Sequence, residues 1–396
     1  MPLLQPGALG GRLPRTVEAF LTTDIQALAH AQGGLLPEDE EALQALQEEV
    51  VRKHAPPVLT GTQLFAHLEA CTLLPTGCQG IDSEMLRGGM RGGQVVELCG
   101  ESASGKTQLC LGAAVQAARL GKRVVYVDTS NALRAGRLRQ VAEAQAAAAG
   151  AAEGPPAFDP LKVIEVRRCY DVHALLGTLD ELMAQHAQQR VLAQQEQQGQ
   201  QQQWPQGQPA EQQQGHSPQQ GGQQQQQQQP AEQQQGQQQQ QGQQQQPARR
   251  RRLEDLPVAL LVVDALSALI SPVLGGGQHS QGHALLAAAA VGLKSFAAAS
   301  DAVVLVSNHL VGGSDERRHE KRPAMGESWR NQPSVRIQLW RPAPGEDGGG
   351  GQPGRAMLRA SPFLPPGLTL PCVLGEAGLT DPPAMQDGAG WAPMQQ

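Results

Sequence analysis

Apolar positions along the chain fall into distinct regimes. From Thr16 to His54 they recur at helical spacing. Thr16 suits the cap of a helix carrying Val17, Phe20 and Leu21, and Asp24 the cap of a second carrying Ile25, Leu28 and Ala29. A third helix starts near Pro37 with an acidic first turn and sets Ala42, Leu43, Leu46 and Val50 on one face; Pro56 and Pro57 stop it. From Leu73 onward, short continuous apolar runs alternate with helix-length segments. Strands are expected at Val95–Cys99, Arg123–Val127, Val163–Val166, Val258–Asp264, Ala302–Ser307 and Val335–Trp340, with a further short one at Met357–Arg359. Helices are expected at Lys106–Leu120, Leu133–Ala149, Val172–Ala187 and His283–Ala299. Strands separated by helices of this length require crossover connections, hence an α/β fold with a mainly parallel sheet.

Between Gln188 and Ala248 the pattern vanishes into glutamine with scattered Gly, Pro and Glu. Such a stretch has no apolar face to offset the entropy of ordering, so it is expected to be a disordered insertion within the domain. The organisation predicted is a small helical domain over 1–57, a linker over 58–72, and a core over 73–187 resuming at 249–380. A disordered tail is expected over 381–396.

Over 396 residues, hydrophobic residues make up 39 % and charged ones 17 %. The glutamine tract dilutes both figures, and what surrounds it is apolar enough for a full core, which excludes a wholly disordered or fibrous chain. A net charge of −6 argues against a bulk polycation while leaving room for local basic loops. None of the six cysteines forms a C-x-x-C pair, so neither a zinc ribbon nor a redox dithiol is indicated. The first residues, MPLLQPGALGGRLPR, lack a signal peptide's pattern. The longest apolar run, Val258 to Leu274, is interrupted by Asp264 and Pro272, so an intracellular chain with no membrane partner is expected.

The segment Gly100-Glu101-Ser102-Ala103-Ser104-Gly105-Lys106-Thr107 fits G-x-x-x-x-G-K-[ST], the phosphate-binding P-loop, and lies between an apolar strand and a helix as that motif requires. Its glycines let backbone N–H groups converge on a phosphate. Lys106 supplies a point charge for the β/γ-phosphates, and Thr107 a hydroxyl ligand for Mg²⁺. The strand Leu260-Leu261-Val262-Val263 ends in Asp264, a carboxylate placed to hold the same cation. Asp128 ends another strand and reads equally as a loop-entry residue.

Further segments carry a family resemblance. Leu74-Pro75-Thr76-Gly77, Gly80-Ile81-Asp82, Gly88-Gly89 and Gly92-Gly93 lead into the P-loop. YVDTSNAL at Tyr126, LLVVDALSALISPVLGG at Leu260 and LVSNHLV at Leu305 come after it in order. This series resembles the RecA-type recombinases of eukaryotes and archaea. Asp264 through Gly276 and Pro323-Ala324-Met325-Gly326-Glu327-Ser328-Trp329 resemble the D-type paralogues of the Rad fifty-one recombinase. The resemblance implies a RecA-type P-loop ATPase core behind a small all-α domain, with ATP and Mg²⁺ as cofactors. It also implies other recombinase paralogues as partners in a heteromeric complex, single-stranded or branched DNA as ligand, and a nuclear location. DNA would be met by two loops, Gly275–Gly282 and Gly312–Arg322. The second carries Arg317, Arg318, Lys321 and Arg322, a basic set that reads either as phosphate contacts or as a solvated surface.

Two positions depart from the family pattern. Strand-exchanging members place after Thr129 a glutamate that activates water, where this chain has Ser130, which cannot take up a proton as a carboxylate does. They also place a glutamine after the Ser-Asn pair, where this chain has His309. Weak, partner-coupled DNA-dependent ATP hydrolysis is therefore expected, rather than a self-sufficient strand-exchange ATPase or a Gln-rich scaffold with a co-opted P-loop. Arg249–Arg252 reads as an import signal, a nucleic-acid contact or a solubilising boundary. Phe65 reads as a contact to an adjacent subunit or as packing on its own core.

Overall fold

The computed structural model describes Asp24, Gln26 and residues 37–54, 58–150, 159–201, 252–274, 279–312, 321–341 and 354–383. These form two units, Met1–Ala70 and Cys71–Gln396. In the first, Gln26 N–H donates to Asp24 Oδ1 at 2.9 Å, the contact expected of an N-cap. Helix α1 spans Pro37–His54 and buries Leu43. The expected linker differs from the structure: Gly61–Ala70 is helix α2, opened by Thr60, whose hydroxyl accepts from Gln63 N–H at 3.2 Å while Gln63 Oε1 accepts from Thr60 N–H at 2.9 Å. Phe65 on this helix is exposed.

The second unit is an α/β core. After the small ladder β1 (Leu73–Leu74) with β2 (Met90–Arg91) come β3 (Val95–Gly100), α3 (Lys106–Arg119), β4 (Arg123–Asp128), α4 (Ala135–Ala148), β5 (Ile164–Arg168) and α5 (Val172–Gln201). Beyond the glutamine tract come β6 (Val258–Asp264), α6 (Leu266–Leu274), α7 (His279–Ser300), β7 (Val303–Val311), β8 (Arg322–Pro323), α8 (Gly326–Arg330) and β9 (Val335–Trp340). Three last strands close the described chain, β10 (Gly354–Ala360), β11 (Thr369–Gly375) and β12 (Gly378–Thr380). The sheet order is β12-β11-β10-β9-β3-β7-β6-β4-β5, parallel from β9 to β5 and antiparallel from β9 to β12; β8 pairs with β7 at one side.

The near-continuous apolar strands result from helices on both faces. Leu260 and Val262 of β6, and Val303 and Leu305 of β7, join one core cluster with α3 and α4. The alternate residues Leu261, Val263, Val304 and Val306 join a second with α5, α6, α7 and α8. Helix α7 contains a stretch, Gln281–Ser300, long and apolar enough to cross a membrane, but Leu286, Leu293 and Phe296 of that stretch lie in the second cluster. All six cysteines are free, and five of them are buried.

Three differences from the expected organisation have local causes. Helix α5 runs on to Gln201, into the stretch expected to be disordered, because glutamine is a good helix former and Gln189 Nε2 donates to Glu254 O at 2.8 Å and to Leu256 O at 3.2 Å. The Gly- and Pro-rich end holds a three-stranded antiparallel extension where only Met357–Arg359 was expected. Gly282, expected in a loop, lies inside α7. The first expected helix, residues 202–251 and residues 384–396 lie outside the described residues.

Upstream of β3, a π-helical turn at Ile81–Met85 is fixed by two acids, half-buried Asp82 and buried Asp381. Asp82 accepts from Thr76 N–H at 2.8 Å, and Asp381 Oδ1 accepts from Gly80 N–H at 2.9 Å and from the Cys78 thiol at 3.2 Å. Burial pushes the Asp82 carboxyl up to about 6 despite these N–H groups.

Candidate nucleotide site

The site lies at the C-terminal edge of the parallel strands, where ligands bind in open α/β sheets. Strand β3 ends at Gly100, whose neighbours leave no room for a side chain: a Cβ there would collide with Leu339 O and Ser104 Oγ. The loop Glu101, Ser102, Ala103, Ser104 then turns into α3 through Gly105, which caps the helix at φ +103°. That left-handed geometry suits glycine, while Ala103 at φ +61° adopts it against its preference. The loop thus carries strain, as phosphate-binding turns do.

Lys106 is buried and folds back over the loop, its Nζ donating to Gly100 O at 2.9 Å and Glu101 O at 2.6 Å. Burial lowers its pKa, with Asp264 opposing. Ser104 Oγ is buried and has no hydrogen-bond partner among the described residues. A buried hydroxyl and an ammonium resting on carbonyl oxygens are groups that an anion in the loop would satisfy. Thr107 is half-buried in the first turn of α3.

Asp264 ends β6 beside β7, which in turn flanks β3, with Asp128 opposite Asp264 and His309 opposite Gly100 in the ladders. Its carboxylate accepts from Tyr126 OH at 2.9 Å and from Ser307 Oγ, which fixes its orientation. Burial, then the Asp264 charge, raises the Tyr126 phenol well above its ordinary range, so it stays a donor. Thr107 and Asp264 offer hard oxygen donors that fit Mg²⁺. No cluster of three or more His, Cys, Asp or Glu suited to a metal occurs among the described residues, so the remaining ligands would be phosphate oxygens and water.

The other rim positions separate by role. Asp128 accepts the N–H groups of Ser130, Ala132 and Leu133 at 3.1–3.2 Å, so it organises its loop. Ser130 is exposed beside it. His309 Nδ1 lies 2.8 Å from Ser267 Oγ, and desolvation followed by the Lys106 charge lowers its pKa. Arg317, Arg318 and residues 275–278 lie outside the described residues. Lys321 pairs with Glu101 of the P-loop, and Arg322 lies in β8.

Residue-type reasoning missed Glu97. It is wholly buried in β3, accepting from Asn308 Nδ2 at 2.6 Å and Trp329 Nε1 at 2.9 Å through Oε1, and pairing with Arg336 through Oε2. The signal was an acid inside the apolar strand VVELCG, a group that requires partners. Also missed was Arg137, which bridges Gln108 Oε1 (2.9 Å) of the P-loop helix to Gly375 O (2.8 Å) of the β11–β12 hairpin.

Residues 69–191 match the Rad51 family model. Over 333 residues the chain is 27 % identical to "DNA repair protein RAD51 homolog 4" of Mus musculus, covering 84 % of this chain and 79 % of that protein. The protein of the same name from Bos taurus is 26 % identical over 366 residues, covering 92 % and 89 %. A 75-residue stretch, 19 % of this chain, is 47 % identical to "DNA repair and recombination protein RadB" of Halobacterium salinarum, of which it covers 31 %.

Proposed function

We propose that this chain, whose core is a Rad51/RecA-like domain, is an ATP-binding recombinase paralogue of the D type. It assists homologous-recombination DNA repair in the nucleus, within a heteromeric complex of paralogues, on single-stranded or branched DNA. The likeness over most of the chain to two mammalian DNA repair proteins supports the repair reading. The motifs from Asp264 to Gly276 and from Pro323 to Trp329 support the D type.

The observation that carries the nucleotide assignment is the P-loop with its folded-back Lys106, set two strands from an oriented Asp264. Lys106 and the loop N–H groups would hold the phosphates, with Thr107 and Asp264 holding Mg²⁺. The cation, when bound, neutralises charge on the β- and γ-phosphates. Tyr126 and Ser307 keep the Asp264 carboxylate aimed. Ser130 supplies no carboxylate base and the His309 ring is engaged with Ser267, so hydrolysis is slow and ATP serves as a gate on assembly with partners.

Titration of a fluorescent ATP analogue with Mg²⁺ tests this. Removing a charge-assisted phosphate contact by Lys106→Ala weakens binding about 10- to 100-fold. Equal affinity of wild type and variant would overturn the assignment, and fast ATP turnover by the chain alone on single-stranded DNA would overturn the slow-gate reading.

A further inference from the structure

We infer that the Lys321–Glu101 ion pair is a latch in which the P-loop competes with a DNA phosphate for one lysine, so that nucleotide and single strand each loosen it for the other. The inference rests on the proposed nucleotide and DNA ligands and adds the contact by which they communicate.

The topology places the latch. Strand β8 pairs with β7 through Leu310 with Pro323 and Val311 with Arg322, which brings together the two stems of the segment from Gly312 to Lys321. Strand β7 lies beside β3, with His309 opposite Gly100, so these stems rise next to the P-loop. Lys321, at the second stem, reaches back to the Glu101 carboxylate, and both side chains are roughly half exposed. The same residue is held from the other side, since Glu101 O accepts from Lys106 Nζ. Glu101 is therefore touched by both lysines, one through its main chain and one through its side chain.

The chain immediately beyond Lys321 is anchored. Ala324 N–H donates to His309 O at 2.8 Å, Asn308 Nδ2 donates to Ala324 O at 3.2 Å, and Trp329 Nε1 is held on Glu97. The Lys321 side chain can re-aim without undocking α8. A phosphate in the P-loop would compete with the carbonyls of Gly100 and Glu101 for Lys106, releasing the main chain of Glu101. A DNA phosphate would compete with the Glu101 carboxylate for Lys321. An exposed pair is weak enough to be exchanged by either event.

The test is a double-mutant cycle on the full chain: wild type, Glu101→Gln, Lys321→Gln and both together. Fluorescence anisotropy with a labelled thymidine-only single strand is read at several salt concentrations, with and without ATP and Mg²⁺. Glu101→Gln is expected to tighten strand binding about threefold without nucleotide, and to shrink the gain from ATP by the same factor. In the Lys321→Gln background it is expected to change neither. Lys321→Gln should also lower the salt slope by about one. Equal tightening by Glu101→Gln in both backgrounds would mean that bulk charge alone acts, and no tightening would mean there is no latch; either result overturns the inference while leaving the function intact. A wild-type chain that binds no strand overturns both.

Discussion

Replacing Glu97 by glutamine is expected to be the most damaging isosteric change in the core. The side chain is fully buried, and its partner Arg336 is 8 % exposed. The variant removes the countercharge while leaving the guanidinium in place. Breaking a buried pair from one side costs about 3–5 kcal/mol. The lower end applies here, because Arg336 Nη2 keeps Arg330 O at 3.0 Å and a glutamine oxygen still accepts from Asn308 and Trp329. With a urea slope of about 3 kcal/mol per molar, a loss of about 3 kcal/mol moves the unfolding midpoint by about 1 M. Tryptophan fluorescence reports it, since Trp329 is buried and belongs to the network. The paired replacement Glu97→Gln with Arg336→Met should recover part of the loss, because no charge is then left alone and the glutamine oxygen still accepts from Asn308 and Trp329. A midpoint shift below about 0.3 M for Glu97→Gln, corresponding to under about 1 kcal/mol, would refute the view that this pair clamps β3 to β9.

Two further outcomes are expected. The Asp82 carboxyl has its folded pKa raised from 3.8 to about 6, so the folded state binds the extra proton and stability from this group is lost as pH rises from about 4 through 6. Asp82→Asn should gain on wild type by up to about 3 kcal/mol across that window, and parallel pH profiles of urea stability would contradict it. Restoring the residues of strand-exchanging relatives, with Ser130→Glu and His309→Gln together, should raise phosphate release by about 100-fold if a general base is what is missing, whereas an unchanged rate would place the defect elsewhere.

The strands that build the site were legible because burial on both faces leaves them as apolar runs: Val258–Asp264 and Val335–Trp340 have the expected bounds. The P-loop was equally legible, since its spacing encodes backbone geometry, with Gly100 too crowded for a side chain and Gly105 left-handed. The C-terminal hairpin was not. Its strands alternate half-buried and buried residues between Pro and Gly, and its pairing is set by Arg137 and Gln145, which hold Gly375 O and Ala377 O from far earlier in the chain. Nor could spacing show that Lys321, read as one of four basic residues facing DNA, reaches Glu101, or that Asp128 satisfies three N–H groups of its own loop.

Two kinds of acid thus flank the phosphate loop, and their energies divide the work. Glu97 and Arg336 are sealed in a pair whose rupture costs about 3 kcal/mol or more, beyond what a ligand present at 100 times its Kd supplies, about 2.7 kcal/mol. That contact is much the harder of the two for a nucleotide to open. Glu101 and Lys321 are solvent-screened, and a pair of that kind is worth about 1 kcal/mol or less, a factor of about five in population. Either proposed ligand would reverse it at ordinary occupancy. The buried network at Glu97 therefore holds β9 and, through Trp329, α8 on β3, and the exposed pair is the one that would yield. On the proposed reading, a chain in which the exposed pair were replaced by a buried one would bind nucleotide without passing that state to the proposed DNA contact at Lys321.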